Sequence, residues 1–433
     1  MTKRTASYLI IGVLSVIGFA DALVQQPKGI KKPEYKLETK QPISTKGLTC
    51  SLPIPLRPQE TSMWCWAASG KMVMEFVQPG LVVSQCEEAN SYYSRTDCCK
   101  SPIPEPCING GGWDVLAKYG FSFNRRDGSP LSWDELKSQI CANKPVMFAW
   151  AWDGGGGHMM VVTGFSDDIS SQHYVHINNP WPPMVGDTKV LTYDAWVNGD
   201  GYSFWAVYYD IQKKLIKISH APLIEKKTNF PLEKSLMEMG KPTDAEANKL
   251  ALEGLKVLNR LVTQDNAQAF GFYRKPDASQ TAIGRPIREF RVQLDDLKSF
   301  IPTDDPTKIL RGRQRLIYPV LSAGRVSSSI RIEKYNSAYR VNSFGNSALI
   351  KMIEDVAGIG LLADERQAVP LSTLEIPAMG LYFLVKEAGG KILLSSIFDE
   401  PSLGLKKGSF KPAVEVYLKL QPFAKKHTFA PMS

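Results

Sequence analysis

Four side chains in the first half of this 433-residue chain are spaced as if to attack a carbonyl together. Cys65 follows an extended segment bounded by Pro53, Pro55 and Pro58 and opens an apolar-periodic run. That pattern predicts a helix over 65–77, stopped by Pro79-Gly80, with Ser62 or Thr61 as N-cap. A thiol in the first helical turn meets the positive end of the dipole and unpaired N–H groups. Both lower its pKa from the reference of about 8.5, and the thiolate is the nucleophile. Gln59, six residues earlier, can turn its amide toward an anion forming beside that sulfur. His158 follows four glycines, where backbone and substrate can approach closely, and is the general-base candidate. Asn178 and Asn179 compete to orient it. Strand alternation puts Val175, Ile177 and Asn179 on one apolar face and His176 and Asn178 on the other, which favours Asn179.

Five stretches carry a family resemblance. Gln59-Glu-Thr-Ser-Met-Trp-Cys65-Trp-Ala-Ala-Ser69 resembles the oxyanion-glutamine and nucleophile segment of papain-like cysteine peptidases. Gly154-Gly-Gly-Gly-His158-Met-Met-Val-Val-Thr-Gly164 is similar to that family's His–strand–Gly segment, and Asn179-Pro180-Trp181 to its Asn-x-Trp. Val83-Ser-Gln-Cys86-Glu-Glu resembles the second helix of the helical lobe, and Asn109-Gly110-Gly111 the strand that pairs with substrate backbone. The resemblance covers residues 45–212, and its compact size is similar to that of bacterial members, including secreted effector proteases of plant pathogens. It implies an α+β domain of two lobes, the nucleophile on the helical lobe and the His and Asn on an antiparallel β lobe. It further implies Gly110, Gly111 and Trp181 at the substrate, a thioacyl-enzyme intermediate, a protein or peptide substrate, and neither cofactor nor metal.

Those residues need elements to hold them. Short helices are predicted over 113–119 and 133–142, the second with Ser132 and Glu135 as a capping box. Strands are predicted over 146–152, 158–165, 174–178, 189–196 and 203–211. Residues 1–22 read as a secretory signal: Lys3 and Arg4, an apolar run from Tyr8 to Ala20, then Ala20-Asp-Ala22. The remainder divides into an extended lead-in over 23–48, the domain over 49–212, a Lys- and Pro-bearing linker over 213–242 and a second α+β domain over 243–433. That last domain reads as a helix to about 262 against an antiparallel sheet: strands at 289–294, 315–321, 328–334 and 339–343, a hairpin of 381–386 and 392–397 around Gly389-Gly390, and a final strand at 414–420. No residue pattern in it carries chemistry. A chain cut near residue 215 is therefore expected to keep activity on a small peptide.

All seven cysteines precede residue 142. With Cys65 free, Cys50, Cys86, Cys98, Cys99, Cys107 and Cys141 are expected to form three disulfides in an oxidising compartment. A zinc site from Cys98, Cys99 and Cys107 is the competing reading, disfavoured because no Cys-x2-Cys pair or nearby His accompanies them. The net charge of +9 comes without a basic stripe interleaved with aromatics, so it reads as solubility rather than nucleic-acid binding. No later apolar run has spanning length, so no stable membrane insertion is expected. Two rival functions stand beside peptide hydrolysis: another acyl transfer on the same residues, and a silent binding protein that uses the C-terminal domain.

Overall fold

Helix Cys65–Val77 is the centre of the computed structural model, which describes residues 49–167, 172–213, 245–358 and 371–426. The signal and lead-in expected before residue 49, and the linker from 214 to 242, lie outside the described residues. Ala67, Ala68, Ser69 and Gly70 are all buried, and their small side chains let strand Gly157–Asp167 approach closely. Ser69 Oγ donates to the Met159 carbonyl at 3.0 Å and ties the two elements together. The expected cap by Ser62 or Thr61 does not form. Trp64 occupies the N-cap position without a side-chain cap bond, and Thr61 Oγ1 accepts the Met63 N–H at 3.3 Å instead. The stretch before the helix is a closed turn, so these hydroxyls sit too early to reach the first helical N–H groups.

Strand Gly157–Asp167 lies between Val146–Trp152 and His173–Asn179, all antiparallel. Beyond Val146–Trp152 come Tyr202–Lys213 and Phe121–Asp127; beyond His173–Asn179 comes Asp187–Thr192. The sheet does not stop there. Asp187–Thr192 pairs with Ala338–Gly345, which continues into Arg325–Tyr335, Arg311–Ser322 and Ile287–Arg291. Ile287–Arg291 then runs parallel to Ser372–Ile376, followed by Leu381–Ala388 and Lys391–Ser396. The described residues accordingly form one compact unit. Its seam is also packed: Tyr174 and Val190 share an apolar cluster with Ala247, Leu258, Phe270 and Phe344.

Several elements differ from expectation for local reasons. The 189–196 run is a strand only to Thr192, whose hydroxyl accepts from Ala195 N–H and starts the helix Tyr193–Val197. Asn109-Gly110-Gly111 is a loop and not a strand. The 414–420 strand is instead part of helix Ala413–Lys426, and Ser347–Ala357 adds a helix where none was expected. Six cysteines pair as Cys50–Cys141, Cys86–Cys99 and Cys98–Cys107, and Cys65 is free. Bridges of this kind persist in oxidising compartments, and the pairing of Cys98 with Cys107 takes the thiols a zinc site would need. Among the described residues no helix is long and apolar enough to cross a membrane.

Candidate active site

Three backbone contacts draw distant segments together. Gln59 N–H donates to the Pro180 carbonyl at 2.9 Å, and Met184 N–H returns to the Gln59 carbonyl at 2.8 Å. The Met159 N–H lies against the Cys65 sulfur, joined there by the N–H groups of Trp66 and Cys65 itself. These contacts place Cys65 beside the residue after His158, and Gln59 beside the residue after Asn179.

His158 Nε2 and Asn179 Oδ1 are 2.6 Å apart. Asn179 Oδ1 also accepts the Trp181 N–H at 3.2 Å, so its amide is fixed from two sides. Asn178 points to the other face of its strand, where Nδ2 donates to the Ile54 carbonyl at 2.9 Å. With Nε2 engaged, Nδ1 is the nitrogen left to serve the thiol, and the Trp152 indole stacks alongside at 6.4 Å. The remaining described histidines sit elsewhere. His173 pairs with Asp167 and stacks on Trp133, and His176 is buried against Ser166 Oγ.

Burial governs the electrostatics. It pushes the Cys65 thiol up to about 11, although three N–H groups at the helix start work the other way. The lowering expected from the helix terminus is therefore outweighed by desolvation. Burial also pushes His158 down to about 4; the bond to Asn179 opposes this, and the nearby Lys189 charge adds to it. At neutral pH the resting pair is thiol and imidazole, both uncharged.

Gln59 is almost fully buried. Its Nε2 donates to the Thr61 and Ser62 carbonyls at 2.8 and 2.9 Å, and its Oε1 has no hydrogen-bond partner. Both amide hydrogens are thus directed into the turn ahead of Cys65. Gly111 lies under the Trp66 indole, whose ring atoms stand 2.3 Å from where a Cβ would be, so only glycine fits. Gly110 is exposed with open space beside it. Trp64 and Trp66 hold this loop by donating to the Cys107 and Asn109 carbonyls.

The C-terminal part of the chain closes around the same residues, which no sequence pattern had suggested. Trp181 Nε1 donates to the Gly380 carbonyl at 2.8 Å and packs against Tyr382 and Phe398. Gly380 has φ +61°, and a Cβ there would stand 2.6 Å from the Ser62 carbonyl oxygen. On the Asn109 side, Ser62, Met63 and Ile108 share a cavity of about 590 Å³ with Met379, Leu403 and Phe423. On the His158 side lies a second cavity of about 80 Å³ that Lys189 borders. A lysine directly before the apolar pair Val190-Leu191 is the available signal for it.

Residues 48–194, which include Gln59, Cys65, His158 and Asn179, match the family described as papain-like cysteine protease AvrRpt2. No curated protein matches the chain.

Proposed function

We propose that this papain-like cysteine peptidase cuts peptide bonds in protein substrates outside the cytoplasm, with Cys65 as nucleophile and His158 as base. Asn179 orients His158, and Gln59 joins the Cys65 N–H as oxyanion donor. The observation that carries this reading is the 2.6 Å bond from His158 to Asn179, next to a Cys65 sulfur that receives the Met159 N–H.

In the first step His158 Nδ1 takes the thiol proton while the sulfur forms a bond to the substrate carbonyl carbon. The carbonyl electron pair moves to oxygen, where the Cys65 N–H and one Gln59 hydrogen stabilise it. Gln59 gives up its bond to Thr61 or Ser62 to do so. The imidazolium then protonates the leaving amine as the C–N bond breaks, and a thioester remains. Water, deprotonated by His158, attacks this acyl-enzyme and restores the thiol. The open edge at Gly110 takes the substrate backbone, and Trp181 bounds the opposite side while shielding the His158–Asn179 bond. Residues 1–22 act as a secretory signal, 49–212 as the peptidase module, and 243–433 as a second module joined through 213–242.

A peptide epoxide followed by peptide mapping tests the assignment. The adduct is expected on Cys65 and lost in His158→Ala with the three disulfides intact. Labelling of any other residue overturns it. Transfer of acyl groups to added amines without release of acid would replace hydrolysis by the rival acyl-transfer chemistry.

A further inference from the structure

The small cavity that His158, Asn179 and Trp181 help to line has a surplus of buried donors. Lys189 borders it, is only 6% exposed, and has no hydrogen-bond or ion-pair partner among the described residues. Its ammonium sits over the Trp150 ring, 4.8 Å from the centroid. Arg315, Arg331 and Asn346 border the same space, and Asn346 Nδ2 is buried without a hydrogen-bond partner.

Nearby carboxylates are already engaged. Glu333 holds Arg315 at 3.0 Å and Arg340 at 2.7 Å. Glu289 holds Arg331 at 3.2 Å and accepts the Tyr382 hydroxyl at 2.6 Å. Asp187 accepts the Thr188 and Leu349 N–H groups, and Glu375 stands 4.0 Å from Arg291. Lys189 is the cation left over. Burial, with Arg331 and Arg315 beside it, lowers Lys189 to about 7, so its charge over the aromatic face is costly and an anion in the cavity would stabilise the ammonium.

We propose that this cavity binds a small oxyanion, a carboxylate or a phosphate, between Lys189, Arg315, Arg331 and Asn346. Such a ligand adds negative charge and acceptor atoms to a wall in which, among the described residues, Glu375 is the one carboxylate facing Lys189, Arg315 and Arg331. At about 80 Å³ the space suits a group of a few heavy atoms and excludes a nucleotide or a peptide. Guanidinium and ammonium donors converging from different strands are the usual setting for oxyanion recognition. Because Lys189 disfavours the charged form of His158, an anion here also eases formation of the imidazolium. Occupancy is thereby coupled to the peptidase site.

The test uses the full chain carrying Cys65→Ala, so binding is read without turnover and independently of the catalytic assignment. Thermal melting is followed against inorganic phosphate and, separately, acetate, each with sodium chloride at matched ionic strength. A saturable rise in Tm with one or both oxyanions is expected. It should vanish when Lys189→Met is added and persist when the exposed Lys351→Met is added. Asn346→Ala serves as a second cavity variant and should weaken the apparent affinity severalfold, which keeps the test decisive if Lys189→Met does not fold. A response to phosphate but not acetate assigns inorganic oxyanions, and the reverse assigns carboxylates. No rise beyond the chloride control, or an equal rise in the cavity variants, overturns the proposal.

Discussion

Trp181 and Gly380, 199 positions apart, are joined by an indole N–H that donates to a carbonyl at 2.8 Å. This bond links the His158–Asn179 site to the C-terminal part of the chain. Combined with the strand pairing of Val190 and Phe344, it revises the expectation that a chain cut near residue 215 keeps activity. Ending at Lys213 exposes the edge of Asp187–Thr192 and uncovers Tyr174 and Val190, an aggregation-prone arrangement. We expect the truncated chain to melt well below the full chain and to self-associate in size-exclusion chromatography. Trp181→Phe, which keeps the ring and loses the N–H, should cost about 1 kcal/mol. A truncated monomer with native-like melting and full thiol reactivity would show that the two parts are independent.

The two asparagines separate catalysis from stability. Asn179→Ala frees the imidazole to rotate and is expected to lower kcat by about 10- to 10³-fold, part of the usual contribution of a positioned base. Asn178→Ala loses its bond to Ile54 and should cost about 1 kcal/mol while leaving turnover near wild type. Peptide turnover and melting of both variants check this. A crippled Asn178→Ala with a normal Asn179→Ala would contradict the assignment.

The uncharged resting pair has a pH signature. With the thiol at about 11 and His158 at about 4, thiolate is scarce at neutral pH and increases as pH rises. Alkylation of Cys65 by iodoacetamide should therefore accelerate about tenfold per pH unit from about pH 6 to about pH 9. A thiolate–imidazolium pair would instead give a rate that is flat across that range.

Acid should weaken the fold. His158 and His176 are both pushed down to about 4 by burial, whereas in the unfolded chain they titrate near 6.5. Between those values the unfolded chain binds more protons, so stability falls as pH falls, by about 3 kcal/mol per histidine at most. Asp187, raised to about 6 by burial, and Glu88, raised well above the usual carboxylate range by burial, act in the opposite direction and reduce this loss. Tm should drop between about pH 6.5 and about pH 4. In His176→Phe the slope should be smaller; an unchanged slope would remove His176 from the account.

Short-range patterns were readable because adjacent residues encode them. Ser132 and Glu135 form the expected capping box, and alternation along 173–179 sends Asn179 and Asn178 to opposite faces. Val414–Leu420 looked like a strand from its alternating valines. Yet Ala413, Val416, Tyr417 and Leu420 are the buried positions, a helical spacing that was present in the sequence. What could not be read depends on contacts made at a distance. The Cys65 thiol has the expected helix-start position, but its ionisation follows the burial that the folded chain imposes on it. The packing of Gly380 against Ser62 likewise has no local signature.

The most direct test of the central claim is release of acid-soluble peptides from casein by the full chain and by Cys65→Ala. Both are first shown to be folded by their melting transitions. Wild type is expected to release peptides continuously and Cys65→Ala none above background. Equal release by the two proteins would contradict a mechanism that runs through Cys65.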